Sequence, residues 1–212
     1  FYRQQRVWAR GQVKFWGVEV EVHGAEHMVP GQSYVVMSNH LSYVDIVALF
    51  LGLPVIPGFL AKRELNRVPF LAAALRHGGH VLIDRGQRAG AMQAITLAAE
   101  QVKGGKTVLI FPEGTRGDTD TIGEFKKGGF FLAKAAGVPI LPVGVRGSRT
   151  IFPRGSLLLR PGKVEIHIGA AIAPDEITAR EPGELVQLVR GKVMDLSAMP
   201  SRQDRPGSSR PA

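Results

Sequence analysis

The chain has 212 residues and a 44% hydrophobic fraction, enough for one domain with a real core on the usual scale of about 100–200 residues per domain. Lys and Arg outnumber Asp and Glu 27 to 18, a formal charge of +9, which favours an anionic partner (nucleic acid, a phosphorylated metabolite or an acidic membrane leaflet) without choosing among them. The absence of cysteine excludes disulfides, Cys-ligated zinc and a Cys nucleophile.

Residues 1–16 carry Arg3, Arg6, Arg10 and Lys14 at helical spacing, with Trp8, Phe15 and Trp16 among the apolar positions. Two readings stand side by side: a basic helix with interfacial aromatics lying on an anionic membrane surface, or a solvated helix whose other face packs on the domain. Val18, Val20 and Val22 then alternate with Glu19, Glu21 and His23, which predicts a half-exposed strand by its period of two. From there strands and helices take turns. Strands are predicted at 34–37, 58–61, 81–83, 107–111, 140–145 and 164–168, and helices at 43–51, 69–76, 89–103, 129–136 and 182–196. Strands separated by helices imply an α/β fold with a mainly parallel central sheet flanked by helices, and functional loops gather at the carboxyl ends of such strands. From residue 200 the sequence has almost nothing to bury, so 200–212 is expected to be a disordered tail. The longest uncharged stretch, Ile46 to Ala61, is broken by Pro54, Pro57 and Gly58 and falls short of the roughly 20 apolar residues that span a bilayer. The numbering opens on Phe1 rather than Met, which leaves room for an upstream anchor or targeting segment.

Chemistry first suggests itself in Asn39-His40-Leu41-Ser42-Tyr43-Val44-Asp45, directly after the strand at 34–37. His40 and Asp45 are five residues apart and would diverge on a continuous helix. Ser42 to Asp45 fits a helix-start capping box, so the chain is expected to turn between them, with His40 on the loop and Asp45 on the first helical turn. Asp45 as a mere capping carboxylate is the plainer alternative. Phe111-Pro112-Glu113-Gly114-Thr115-Arg116 follows another strand and sets a carboxylate, a permissive glycine, a hydroxyl and a guanidinium on one loop, a credible phosphate grip although also ordinary turn chemistry. Arg85, Lys62 with Arg63, and Lys126 with Lys127 add cations at strand ends. No His-Glu-x-x-His spacing calls for a metal, and no Gly-x-Ser-x-Gly elbow supports a serine hydrolase using Ser38 or Ser42.

Taken in order, Asn39-His40-x-x-x-x-Asp45, Gly79 to Ile83-Asp84-Arg85, Phe111 to Arg116, and Val138-Pro139-Ile140-Leu141-Pro142-Val143 resemble the four blocks of the glycerolipid acyltransferases, over roughly residues 33–146. The resemblance implies an acyltransferase domain over 17–199 and a glycerol-3-phosphate acyltransferase-like fold. It implies transfer of a fatty acyl group from acyl-CoA or acyl carrier protein to the free hydroxyl of 1-acylglycerol-3-phosphate, giving phosphatidic acid. His40 and Asp45 match the family's catalytic pair; Arg85, Glu113, Gly114, Thr115 and Arg116 match its acceptor-binding positions, and Lys62 a lysine that commonly follows the first block. The 138–143 block matches an acyl-donor or core segment, for which strand packing is the physical role expected. Val81 and Leu82 stand where bulkier aromatics often occur. No cofactor beyond the acyl donor and no metal are expected; the expected partners are a lysophospholipid, the donor and an anionic membrane surface, not nucleic acid. The expected location is the cytoplasmic face of the membrane, peripheral or anchored upstream of residue 1. The alternatives are an acyltransferase for another acceptor, glycerol-3-phosphate or another lysolipid, and a basic non-enzymatic module that binds membrane or nucleic acid.

Overall fold

The computed structural model describes residues 2–62, 81–83, 88–117, 119–156 and 158–200. Among the described residues there are seven strands, β1 (Val18–His23), β2 (Val35–Ser38), β3 (Gly58–Lys62), β4 (Val81–Ile83), β5 (Val108–Ile110), β6 (Ile140–Arg146) and β7 (Gly162–Ile168). They form one sheet in the order β1-β7-β6-β2-β5-β3-β4. Every neighbouring pair is parallel except β6 with β7, so the mainly parallel sheet expected from the alternation is present, with β1 and β7 running against the rest.

The helices are α1 (Tyr2–Trp16), α2 (Val44–Gly52), α3 (Arg88–Lys103), α4 (Gly128–Ala136), the short α5 (Ser148–Ile151), α6 (Pro174–Ala179) and α7 (Pro182–Ser197). Because successive strand residues face opposite ways, Val36 joins a core with Val44, Val47, Ala48 and Ile166, whereas Val35 and Met37 join another with Ala98, Phe130, Leu132, Val189 and Val193. Both faces are covered, as buried parallel sheets require. The sequence pattern predicts neither α5 nor α6, although Pro174 at the helix start with Asp175 and Glu176 in the first turn is a recognisable opening. The predicted helix at 69–76, Arg85 and the tail from 201 lie outside the described residues.

α1 satisfies part of each reading made of it. Ala9 is fully buried and Gln5 nearly so, and Arg6 donates to the Leu53 and Pro54 carbonyls at 2.9 and 2.6 Å. Arg6 therefore serves the open carboxyl end of α2 and not an outward basic stripe, because the last carbonyls of a helix need donors. Val7, Trp8 and Phe15 remain exposed on the other side.

What positions the site is strand direction. β2 and β5 are adjacent and parallel, and the chain leaves β2 for β3 on one side but leaves β5 for β6 on the other. Loops at the carboxyl ends of two such strands open a crevice between them, the usual place for ligands in an open α/β sheet.

Candidate active site

His40 follows β2 and Asp45 lies in the first turn of α2. The turn between them brings His40 Nδ1 to 2.9 Å from Asp45 Oδ2. The same oxygen accepts the Leu41 and Ser42 amides at 2.7 and 2.8 Å. A buried carboxylate at a helix start thus takes up orphan amide donors and sits at the favourable end of the helix dipole. The helix starts one residue later than the capping box predicts, with Tyr43 and not Ser42 at the N-cap position; Ser42 Oγ accepts from the Val44 amide at 3.2 Å instead of from Asp45, and donates to the Phe152 carbonyl at 2.8 Å. Asp45 is wholly buried, while the His40 side chain keeps 12% of its exposure. With Nδ1 committed to Asp45, Nε2 is the nitrogen left for a reacting group.

Further contacts from distant parts of the chain hold the His40 ring and its main chain. Its ring stacks on Phe111 at 3.9 Å between centroids and 13° between planes. The Asn39 side chain exchanges two 2.8 Å hydrogen bonds with the main chain of Val145, continuing the β2–β6 pairing by one step through an amide side chain. Glu113 accepts the His40 amide on Oε1 at 3.2 Å and the Gly123 amide on Oε2 at 3.1 Å, and the Gly117 amide donates to the His40 carbonyl at 2.7 Å. Both sides of the His40 residue's main chain are therefore held by the 111–117 loop. Burial pushes the Glu113 carboxyl above the usual glutamate range, with the two amides opposing that shift.

The cations gather at the same edge in part. Arg116 lies with its guanidinium carbon 3.8 Å above the Tyr43 ring, a cation–π contact. Thr115 is exposed. Gly114 has φ +76°, and a Cβ there would meet Lys126 Nζ at 2.7 Å, so the ammonium of Lys126 crosses this loop. Lys62 closes β3 on the same edge, its side chain outside what is described. Ser38 and Ser42, the nucleophiles of the hydrolase reading, donate to the Asn39 and Phe152 carbonyls, and the His40 ring is held by Asp45 instead. Among the described residues no three of His, Cys, Asp and Glu gather as metal ligands. The sequence gives no role to Phe111 beyond opening its motif, none to Tyr43, and none to Asn39 beyond its place in the motif; the partners of Asn39 and Glu113 are 106 and 73 residues away.

Residues 19–146 match the family described as Acyltransferase. The chain is 34% identical over 184 residues to the 1-acyl-sn-glycerol-3-phosphate acyltransferase of Saccharomyces cerevisiae, covering 84% of this chain and 60% of that protein. It is 33% identical over 189 residues to the enzyme of that name from Pseudomonas aeruginosa, covering 86% and 70%, and 30% identical over 197 residues to the human alpha form, covering 91% and 68%. The chain thus spans about 60% of the length of the yeast relative. The crystal structure of the 1-acyl-sn-glycerophosphate acyltransferase from Thermotoga maritima superposes with a TM-score of 0.79 at 28% identity, covering 95% of this chain and 81% of that one.

Proposed function

The chain belongs to the acyltransferase family, and from that premise we propose that it transfers a fatty acyl group from a thioester donor, acyl-CoA or acyl carrier protein, to the hydroxyl of 1-acylglycerol-3-phosphate. The observation that carries this reading is the 2.9 Å His40–Asp45 contact at the rim where the Arg116 loop arrives. His40 Nε2 takes the proton of the acceptor hydroxyl as its oxygen attacks the thioester carbonyl. The tetrahedral intermediate then expels the thiolate, the C–S bond breaks, and the imidazolium returns the proton to sulfur. Asp45 holds the ring in the tautomer with hydrogen on Nδ1 and stabilises the transient imidazolium. Glu113 works through His40: with both its oxygens already accepting amides, it serves to position the base. Lys62, Arg85, Gly114, Thr115 and Arg116 bind the phosphorylated acceptor, for which a guanidinium supplies two parallel donors.

The amphiphilic substrates support a membrane-surface location; the cytoplasmic side is part of the same proposal. Among the described residues no helix is long and apolar enough to cross a membrane, and the exposed Val7, Trp8 and Phe15 of α1 lie beside Arg10 and Lys14, a composition suited to an anionic interface. Incubation with 1-acylglycerol-3-phosphate and acyl-CoA should release free CoA and form phosphatidic acid. His40→Ala should lower the rate by about 10²–10⁴-fold, the usual worth of a positioned base, with the fold intact by circular dichroism. Substantial turnover by the folded variant would remove His40 from the chemistry, and a panel of other lysolipids and glycerol-3-phosphate fixes the preferred acceptor.

A further inference from the structure

The connection between β6 and β7 is fastened to the rim of the site at four points. Its Phe152 carbonyl accepts the Ser42 hydroxyl at 2.8 Å, and the Phe152 ring tilts against Tyr43 at 6.4 Å between centroids. Arg149 pairs with Asp120 at 2.6 Å. Arg154 Nη1 donates to the Arg116 carbonyl at 3.0 Å. Tyr43, held by Phe152, is the ring over which Arg116 lies. One segment therefore supports the aromatic platform under Arg116 and carries another guanidinium to the main chain of Arg116 itself.

The charge balance of this wall is uneven. Among the described residues, Asp120 pairs with Arg149, and neither Arg116 nor Arg154 forms an ion pair. Arg116 and Arg154 bring two cations to one loop; like charges repel, and a dianion bound by both relieves that repulsion. A phosphate monoester has its second pKa near about 6 and carries about −1.5 to −2 at pH 7. A guanidinium that spends one Nη1 hydrogen on a carbonyl keeps further donors for a second acceptor.

We propose that Arg154 is a further acceptor-binding residue, a second guanidinium that together with Arg116 recognises the doubly ionised phosphate of a monoester acceptor; this rests on the acyl-acceptor reading above. It makes the site selective for a terminal phosphate over a phosphodiester, whose single charge needs one guanidinium. Arg154 is exposed, so its replacement leaves the core untouched.

Two measurements on the same proteins test this: calorimetric binding of short-chain lysophosphatidic acid below its micellar concentration, and acyl transfer to that acceptor, both at pH 5.5 and pH 8. Arg154→Ala should weaken binding and raise KM at pH 8 by about 10-fold or more, the scale of a lost charged hydrogen bond, with kcat within about twofold of wild type. The penalty should shrink at pH 5.5, where the phosphate is a monoanion, and Arg154→Lys should recover part of the loss because it keeps the charge. Arg116→Ala and Arg154→Ala combined should exceed either alone. Unchanged binding in Arg154→Ala overturns the proposal. So does an equal penalty at both pH values, or a fall in kcat with KM unmoved, since each marks Arg154 as a prop for the loop. Wild-type binding without turnover overturns the acyl-transfer reading while leaving Arg154 to be judged on binding, and no binding by wild type overturns both.

Discussion

Asp45 concentrates three donors on Oδ2 while Oδ1 is buried without a partner among the described residues, an arrangement that fixes the carboxylate plane and leaves the imidazole one way to face. The residue that completes this is Glu113, whose oxygens tie the His40 amide to the Gly123 amide. Glu113→Gln keeps the shape but replaces one acceptor with a donor, so one amide is left facing an N–H, a loss of about 1–3 kcal/mol for an unsatisfied buried group. Displacement of the His40 main chain should then lower kcat, by up to about 10²-fold for a shift near 1 Å, with KM less affected; steady-state kinetics check this. The pH dependence has a definite sign. Burial raises the folded-state carboxyl above its unfolded value, so folded protein keeps a proton that the unfolded chain has released. Stability from this group is present below the ordinary glutamate range and is lost as pH rises through the raised value. The melting temperature of wild type should therefore fall relative to Glu113→Gln across that window, and a constant difference would contradict it.

At the scale of elements, β6 is where the sheet, the site and the closing helix meet. Its side chains from Ile140 to Val145 are buried, Val145 receives Asn39, and its Gly144 packs against the end of α7. A Cβ at Gly144 would lie 2.3 Å from the Leu196 carbonyl carbon and 2.4 Å from the Ser197 nitrogen. These are backbone atoms that have no rotamer to escape into. Gly144→Ala should cost about 1–3 kcal/mol as an overpacked site, a drop in melting temperature of roughly 2–12 °C for a chain of this size, read by thermal unfolding. The strain falls one residue from Val145, so kcat should fall along with stability. The Pro139 and Pro142 block that matches the family's fourth segment is, physically, the buried strand of this junction: Pro142 lies opposite Met37, and its carbonyl accepts the Gly169 amide at 2.9 Å.

For the molecule as a whole, β1 begins at the edge of the sheet where β2, β5 and β6 end, because β1 is parallel to β7 and β7 runs against β6. The end of α1 that leads into β1, with Lys14 and the 87%-exposed Phe15, is therefore on the edge that carries His40. A bilayer contacted through this helix would meet the site from the same side. Flotation with anionic vesicles should recover the protein, and Trp8→Ala with Phe15→Ala should reduce the bound fraction by roughly tenfold or more, the worth of aromatic burial. Indifference to both the substitutions and the vesicle charge would sever the +9 charge from membrane contact.

Local sequence was enough for most of the described elements, α5 and α6 excepted, and for the His40–Asp45 contact. A period-two run marked β1 and a continuous apolar run marked β2, the Ala-rich helix ran to Lys103 as expected, and a turn initiated at Ser42 sufficed to bring together two residues only five apart. What it could not supply was the strand order β1-β7-β6-β2-β5-β3-β4, since periodicity says that a segment is a strand and nothing about which strand it will lie beside. The partners that hold His40 follow from that order alone: Phe111 beneath its ring, Glu113 on its amide, Asn39 on Val145. So does the arrival of Arg154 at Arg116 across 38 residues. Burial of both sheet faces selects the order, and only then do residues remote in sequence share one edge.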